Sequence, residues 1–167
     1  SFCAIKAFPF ALLTISLLAL LLYYDQTLFK YLVPNSPSTN KLIGKLLKPL
    51  TLTAFIYYQK YSMPPRPFKR LRAHPSNLMI TLGFLCTFLS LFSFDNNFRA
   101  IILNTFIGLT CVYFIYCVAS NWNRKKQEFA LQVAVSATIL ICLIYKNIVK
   151  SEYGMIVYTN EHYVKIA

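Results

Sequence analysis

Histidine and cysteine are the residues of this chain that best suit metal, haem or redox chemistry, and both are sparse. His74 and His162 are far apart, and neither lies deep in an apolar segment, where a haem ligand of a membrane protein would be needed. The cysteines form no C-x-x-C pair and no zinc-like spacing. We therefore expect no metal site and no cofactor. The five cysteines are Cys3, Cys86, Cys111, Cys117 and Cys142.

Acidic residues are also few. Of the five in the chain, Asp25 and Asp95 directly follow apolar runs, and so few acids leave little scope for catalysis by paired carboxylates. The sequence has no glycine-rich phosphate loop, no H-E-x-x-H motif and no G-x-S-x-G motif. We expect no catalytic residues and predict that the protein is not an enzyme.

The elements that would position any site are dominated by apolar runs. The 167 residues are 57% hydrophobic and 13% charged, against about 25% charged in a typical soluble domain. Four runs contain no charged residue, and as helices they reach roughly 26 to 30 Å, which matches the hydrocarbon core. Lipid offers no partner to backbone groups, so each run must be helical. The sequence predicts an all-α integral membrane protein with about four transmembrane helices, at 7–24, 78–94, 100–119 and 129–145.

The four runs divide the chain. The first run is longer than the roughly 7 to 15 apolar residues of a signal peptide and has no cleavage site after it, so we predict a retained span. A basic, proline-rich loop occupies 25–77, and a three-helix transmembrane bundle occupies 78–145. The tail at 146–167 is polar, with β-prone residues that favour a small hairpin and a composition equally typical of disorder.

The long first loop contains an amphipathic segment. Lys41, Lys45 and Lys48 recur at helical spacing with leucine and isoleucine between them, which predicts an interfacial helix in the headgroup plane. Pro49 is expected to interrupt this helix before a shorter apolar piece at 50–58. The alternative is one fifth span through both pieces, which would bury lysines and a proline. The proline-rich stretch at 63–75 predicts an extended arm on a partner subunit or on acidic lipid.

Seventeen Lys and Arg residues against five acids give a net charge of +12. Because these charges flank apolar runs, we expect contacts to anionic phospholipids and to other membrane subunits rather than to nucleic acid. The basic loop at 25–77 and the link at 120–128 hold most of them, so both termini are predicted on the outer, intermembrane-space or lumenal, side. The predicted lipid or partner contacts are Lys41, Lys45, Lys48, Arg66, Lys69, Arg70, Arg72, Arg124, Lys125 and Lys126.

Polar and small residues within the runs indicate helix packing. An amide in hydrocarbon seeks a partner on another helix, and alanines at helical spacing allow close approach. The predicted packing residues are Asn104, Gln132, Ala130, Ala134 and Ala137.

These features favour a non-catalytic accessory or scaffold subunit of a larger membrane complex. The composition suggests the mitochondrial inner membrane, as in respiratory-chain or ATP synthase assemblies, with the endoplasmic reticulum membrane as the alternative. Two other functions stay open: a small oligomeric carrier or channel lined by Asn104, Gln132 and the hydroxyl groups of the second run, and a lipid-modifying enzyme that uses Arg70, Arg72 and His74.

Overall fold

The computed structural model describes residues 2–24, 37–67, 74–93, 95–123 and 127–145. This part of the chain is entirely helical apart from its short connections. Three of its helices are long and apolar enough to cross a membrane, and a shorter apolar helix covers Ala7–Tyr23. The predicted all-α membrane class is therefore confirmed. The helices are α1 (Phe2–Tyr24), α2 (Pro37–Ser62), α3 (Pro75–Phe92), α4 (Asn96–Ser120) and α5 (Gln127–Tyr145).

The chain divides into two compact units, Ser1–Arg124 and Lys125–Ala167. The first unit contains α1 to α4, and the second contains α5. The predicted tail at 146–167 lies outside the described residues.

Local sequence sets the ends of α3 and α4. Pro75 occupies the first turn of α3, where its missing N–H costs no hydrogen bond, so the helix begins three residues before the predicted apolar run. Asp95 caps α4: its carboxylate accepts a hydrogen bond from the backbone N–H of Asn97 at 2.9 Å. The short link between α3 and α4 forms the antiparallel hairpin that such a connection requires.

The expected break at Pro49 is wrong. α2 is one continuous helix of 26 residues that passes through Pro49, and the stretch 51–56 is entirely buried. A proline inside a helix costs about 3 kcal/mol. Leu52, Phe55 and Ile56 are at most 1% exposed, and burial of each such side chain contributes about 1.5 to 3 kcal/mol. Tertiary burial thus outweighs the lost hydrogen bond, which the local pattern could not reveal.

α2 is the central element of the first unit and packs against α1, α3 and α4. Its direction relative to α1 follows from ring contacts: the Phe8 and Tyr57 ring centroids are 6.5 Å apart, while Gly44 lies against Tyr23. α1 and α2 are therefore antiparallel. The start of α1 lies at the same end as the start of α3, because the Lys60 ammonium bonds Asn77.

Candidate functional site: a hydrogen-bonded polar end of the bundle

Polar side chains collect at one end of the first unit, which we call the polar end. There α2 ends, the segment 63–67 leads towards α3, α3 begins, and α4 ends. The antiparallel packing of α3 with α2 and α4 brings these chain positions to the same level. The polar end consists of Lys60, Ser62, His74, Ser76, Asn77, Tyr113, Tyr116 and Asn121.

Ser76 and Tyr113 form the buried centre of the polar end. The Tyr113 hydroxyl donates to Ser76 Oγ at 2.9 Å, although the two residues are 37 positions apart. Ser76 is fully buried and Tyr113 is 4% exposed. His74 Nδ1 lies 3.2 Å from the same Ser76 oxygen. When a neutral His74 carries its proton on Nε2, Ser76 can accept from Tyr113 and donate to His74, which gives a continuous hydrogen-bonded chain from α4 to the start of α3.

The segment 63–67 is held to α4 through its carbonyl oxygens. Asn121 Nδ2 donates to the carbonyl of Pro64 at 3.1 Å and to that of Cys117 at 2.8 Å. The Tyr116 hydroxyl donates to the carbonyl of Arg66 at 2.9 Å. The start of the predicted extended arm therefore contacts the chain's own α4, and the Arg66 side chain stays exposed.

A further bond joins α2 to α3. Lys60 Nζ donates to Asn77 Oδ1 at 2.9 Å and lies 5.8 Å from the ring centroid of Tyr61. The second distance is within the range of a cation–π contact. The Tyr61 ring also packs edge-on against Tyr57, with centroids 5.1 Å apart. The lysine charge is thus fixed beside the start of α3.

Two polar groups of α2 do not take part in these bonds. The side-chain amide of Gln59, with both Nε2 and Oε1, and the hydroxyl of Ser62 are buried without a hydrogen-bond partner among the described residues. Gln59 is 0% exposed. In the sequence it lies at helical spacing from Leu52, Ile56 and Met63, which is the signal that could have identified it as a buried amide.

The predicted basic contacts are only partly placed. Arg66 is exposed at the polar end, while Lys45 and Lys48 are half-buried on α2. Lys41 lies on α2, and the remaining predicted contacts lie outside the described residues, namely Lys69, Arg70, Arg72, Arg124, Lys125 and Lys126.

The predicted packing residues are spread over two helices. Asn104 is exposed on α4. On α5, Gln132 and Ala137 are half-buried, whereas Ala130 and Ala134 are exposed. Their role in contacts between helices stays a prediction.

The part of the chain that the structure describes contains no cluster of metal-binding side chains. No group of three or more histidine, cysteine or acidic side chains there could hold a metal ion. Cys86, Cys111, Cys117 and Cys142 are free thiols. The polar end consists mainly of hydroxyl, amide and carbonyl groups, which form hydrogen bonds.

The chain matches a protein family. A family model described as 7TM diverse intracellular signalling matches residues 7–167, which is nearly the whole chain. No curated protein and no solved structure matches.

Proposed function

Because this chain belongs to the 7TM diverse intracellular signalling family, we propose that it is a non-catalytic membrane module that transmits signals within a larger membrane assembly. The observation that carries this proposal is the bond between Tyr113 and Ser76. It joins α4 to α3 in a buried position, and the connection from α2 to α3 is bonded to α4 beside it. A shift of α4 therefore acts directly on the segment 63–67.

The transmission step is a change in helix packing. Helix shifts of about 1 to 2 Å are a common form of switching. A displacement of that size breaks a hydrogen bond of 2.9 Å such as that between Tyr113 and Ser76. It also loosens the carbonyl contacts of Pro64 and Arg66. The segment 63–67 then presents a different surface, including the exposed Arg66 side chain, to whatever lies at that face.

The partners are other membrane subunits and anionic phospholipids. Large apolar side chains remain exposed along α3 and α4, which suits lipid or another membrane protein. Arg66 is exposed at the polar end, and the sequence beyond it continues with further basic residues to position 72. Basic segments next to a span attract acidic headgroups. An accessory role in the mitochondrial inner membrane, or in the endoplasmic reticulum, is supported by composition and charge.

Purification from native membranes tests the proposal. The chain should elute with membrane proteins in fixed stoichiometry, and Tyr113→Phe should change the amount of partner recovered while the chain stays folded. The matched control is Tyr145→Phe, because Tyr145 is exposed on α5. Reconstitution in liposomes supplies the contrary outcome: solute flux through the purified chain, with no partner recovered, would indicate a carrier or channel instead.

A further inference from the structure

Gln59 is the fully buried side chain of α2 whose hydrogen-bonding capacity is least used. Neither its amide nitrogen nor its carbonyl oxygen has a partner among the described residues. Buried polar groups are nearly always hydrogen-bonded, to protein or to ordered water, because an unmet group loses its hydration without return. Ser62 Oγ is likewise buried without a hydrogen-bond partner among the described residues. Ser62 follows Gln59 at the spacing i to i+3, so the two side chains are neighbours on one surface of α2.

The level of Gln59 within the bundle can be fixed from two contacts. Thr53 and Gly83 are in contact between α2 and α3. From that layer, Gln59 lies six residues along α2 and Ser76 lies seven residues along α3, which at about 1.5 Å per residue are roughly 9 and 10.5 Å. The bond from Lys60 to Asn77 places the same ends of α2 and α3 side by side. Gln59 is therefore level with the buried hydroxyl of Ser76.

We propose that Gln59 and Ser62 bind an internal water molecule at this level of the bundle. The unmet groups comprise the Gln59 N–H donors, the Gln59 carbonyl acceptor, and the Ser62 hydroxyl, which can do both. One water offers two donors and two acceptors and can satisfy all three groups, as buried waters do with about three partners each. The inference is independent of any signalling role.

A neutral ligand fits this position better than an ion. The nearest described cation is Lys60, and its ammonium is already bonded to Asn77. The described acidic side chains are Asp95, at the start of α4, and Glu128, in the second unit. Phe55 and Ile56 on the same helix, and Met63 directly after its end, are fully buried. An ion there would lack a counter-charge and would carry the full cost of desolvation.

Radiolytic hydroxyl-radical footprinting of the full chain in detergent tests the proposal, because radicals form from water held beside a side chain. Met63 follows Gln59 by one helical turn and is 0% exposed, and Met79 on α3 is an internal control at 7% exposed. We expect Met63 to be oxidised several-fold faster than Met79. In Gln59→Leu the Met63 rate should fall to that of Met79, and in Ser62→Ala it should fall part of the way.

Gln127→Leu is the matched control, because Gln127 is exposed at the start of α5; it should leave the Met63 rate unchanged. Wild-type oxidation of Met63 no faster than that of Met79 overturns the proposal, and this comparison requires no variant to fold. A Met63 rate that is undiminished in a folded Gln59→Leu protein overturns it as well.

Discussion

The Thr53 hydroxyl oxygen lies where a side chain on Gly83 would begin. This is a close contact between α2 and α3, and the ring of Phe106 from α4 lies in the same layer, 3.1 Å from the position of an added Cβ. A three-helix contact of this kind depends on the missing side chain at one position.

Gly83→Ala should therefore destabilise the protein. The added methyl group overlaps Thr53 Oγ1, which is held in place by its bond to the carbonyl of Pro49 at 2.8 Å. Overpacking of a closed core costs about 1 to 3 kcal/mol, and thermal unfolding in detergent should show a lower Tm. Gly108→Ala is the control, because nothing lies within 4 Å of a Cβ there. Equal Tm values for the two variants would contradict the contact.

Phe55→Ala should be among the most damaging apolar truncations in α2. Phe55 is 0% exposed, and loss of a buried phenylalanine side chain costs about 3 to 5 kcal/mol. Phe88→Ala removes the same group from an exposed position on α3, at 58% exposed. Unfolding followed by circular dichroism should separate the two clearly. If Phe55→Ala unfolds like the wild type, α2 is not the centre of the unit.

Asn121→Ala should release the segment 63–67 from the end of α4. The variant loses donation to the carbonyls of Pro64 and Cys117, and net contributions of such bonds are about 0.5 to 1.5 kcal/mol each. A nitroxide spin label attached through Arg66→Cys, in a chain without other cysteines, should become more mobile in its electron paramagnetic resonance spectrum, because Arg66 is exposed within the released segment. Asn123→Ala is the control, because Asn123 is exposed two residues later; it should leave the mobility of the label as it is with Asn121 in place.

The path of α2 determines which faces of the membrane its two ends reach. Its 26 residues extend about 39 Å, and it runs antiparallel to α1 and to α3, a candidate span. We expect single cysteines at Ser36 and Arg66, in a chain without other cysteines, to react with impermeant reagents from opposite sides of sealed vesicles. Labelling of both from one side would instead support the predicted interfacial helix in the headgroup plane.

The membrane class and the hairpin of α3 and α4 could be predicted because they depend on local composition. Apolar runs without charge can only be helices in lipid, and a short polar link can only join antiparallel neighbours. The continuity of α2 could not be predicted in this way. Lys45, Lys48 and Pro49 argue locally for a surface helix with an end, and only the burial of the following residues outweighs them.

The polar end could not be predicted from the sequence for a different reason. Tyr113 and Ser76 are ordinary residues in separate segments, and nothing in their types or spacing marks them as partners. An amide that interrupts an apolar run, such as Asn104, predicts a packing role, whereas the position of Gln59 beside Lys60 indicates a polar boundary. Long-range hydrogen bonds depend on register between helices, which requires the assembled bundle.

Because of its prolines, the segment 63–67 is attached to α4 through carbonyl acceptors and not through N–H donors. Pro64, Pro65 and Pro67 have no N–H to offer, and the N–H of Met63 is already bonded to the carbonyl of Gln59 at 2.8 Å. Asn121 and Tyr116 therefore hold the segment through its carbonyl oxygens alone. When these bonds break, the freed carbonyls can turn to solvent, and almost no backbone N–H group loses a partner. The segment 63–67 can therefore detach and reattach at a small free-energy cost while the helices on either side stay intact.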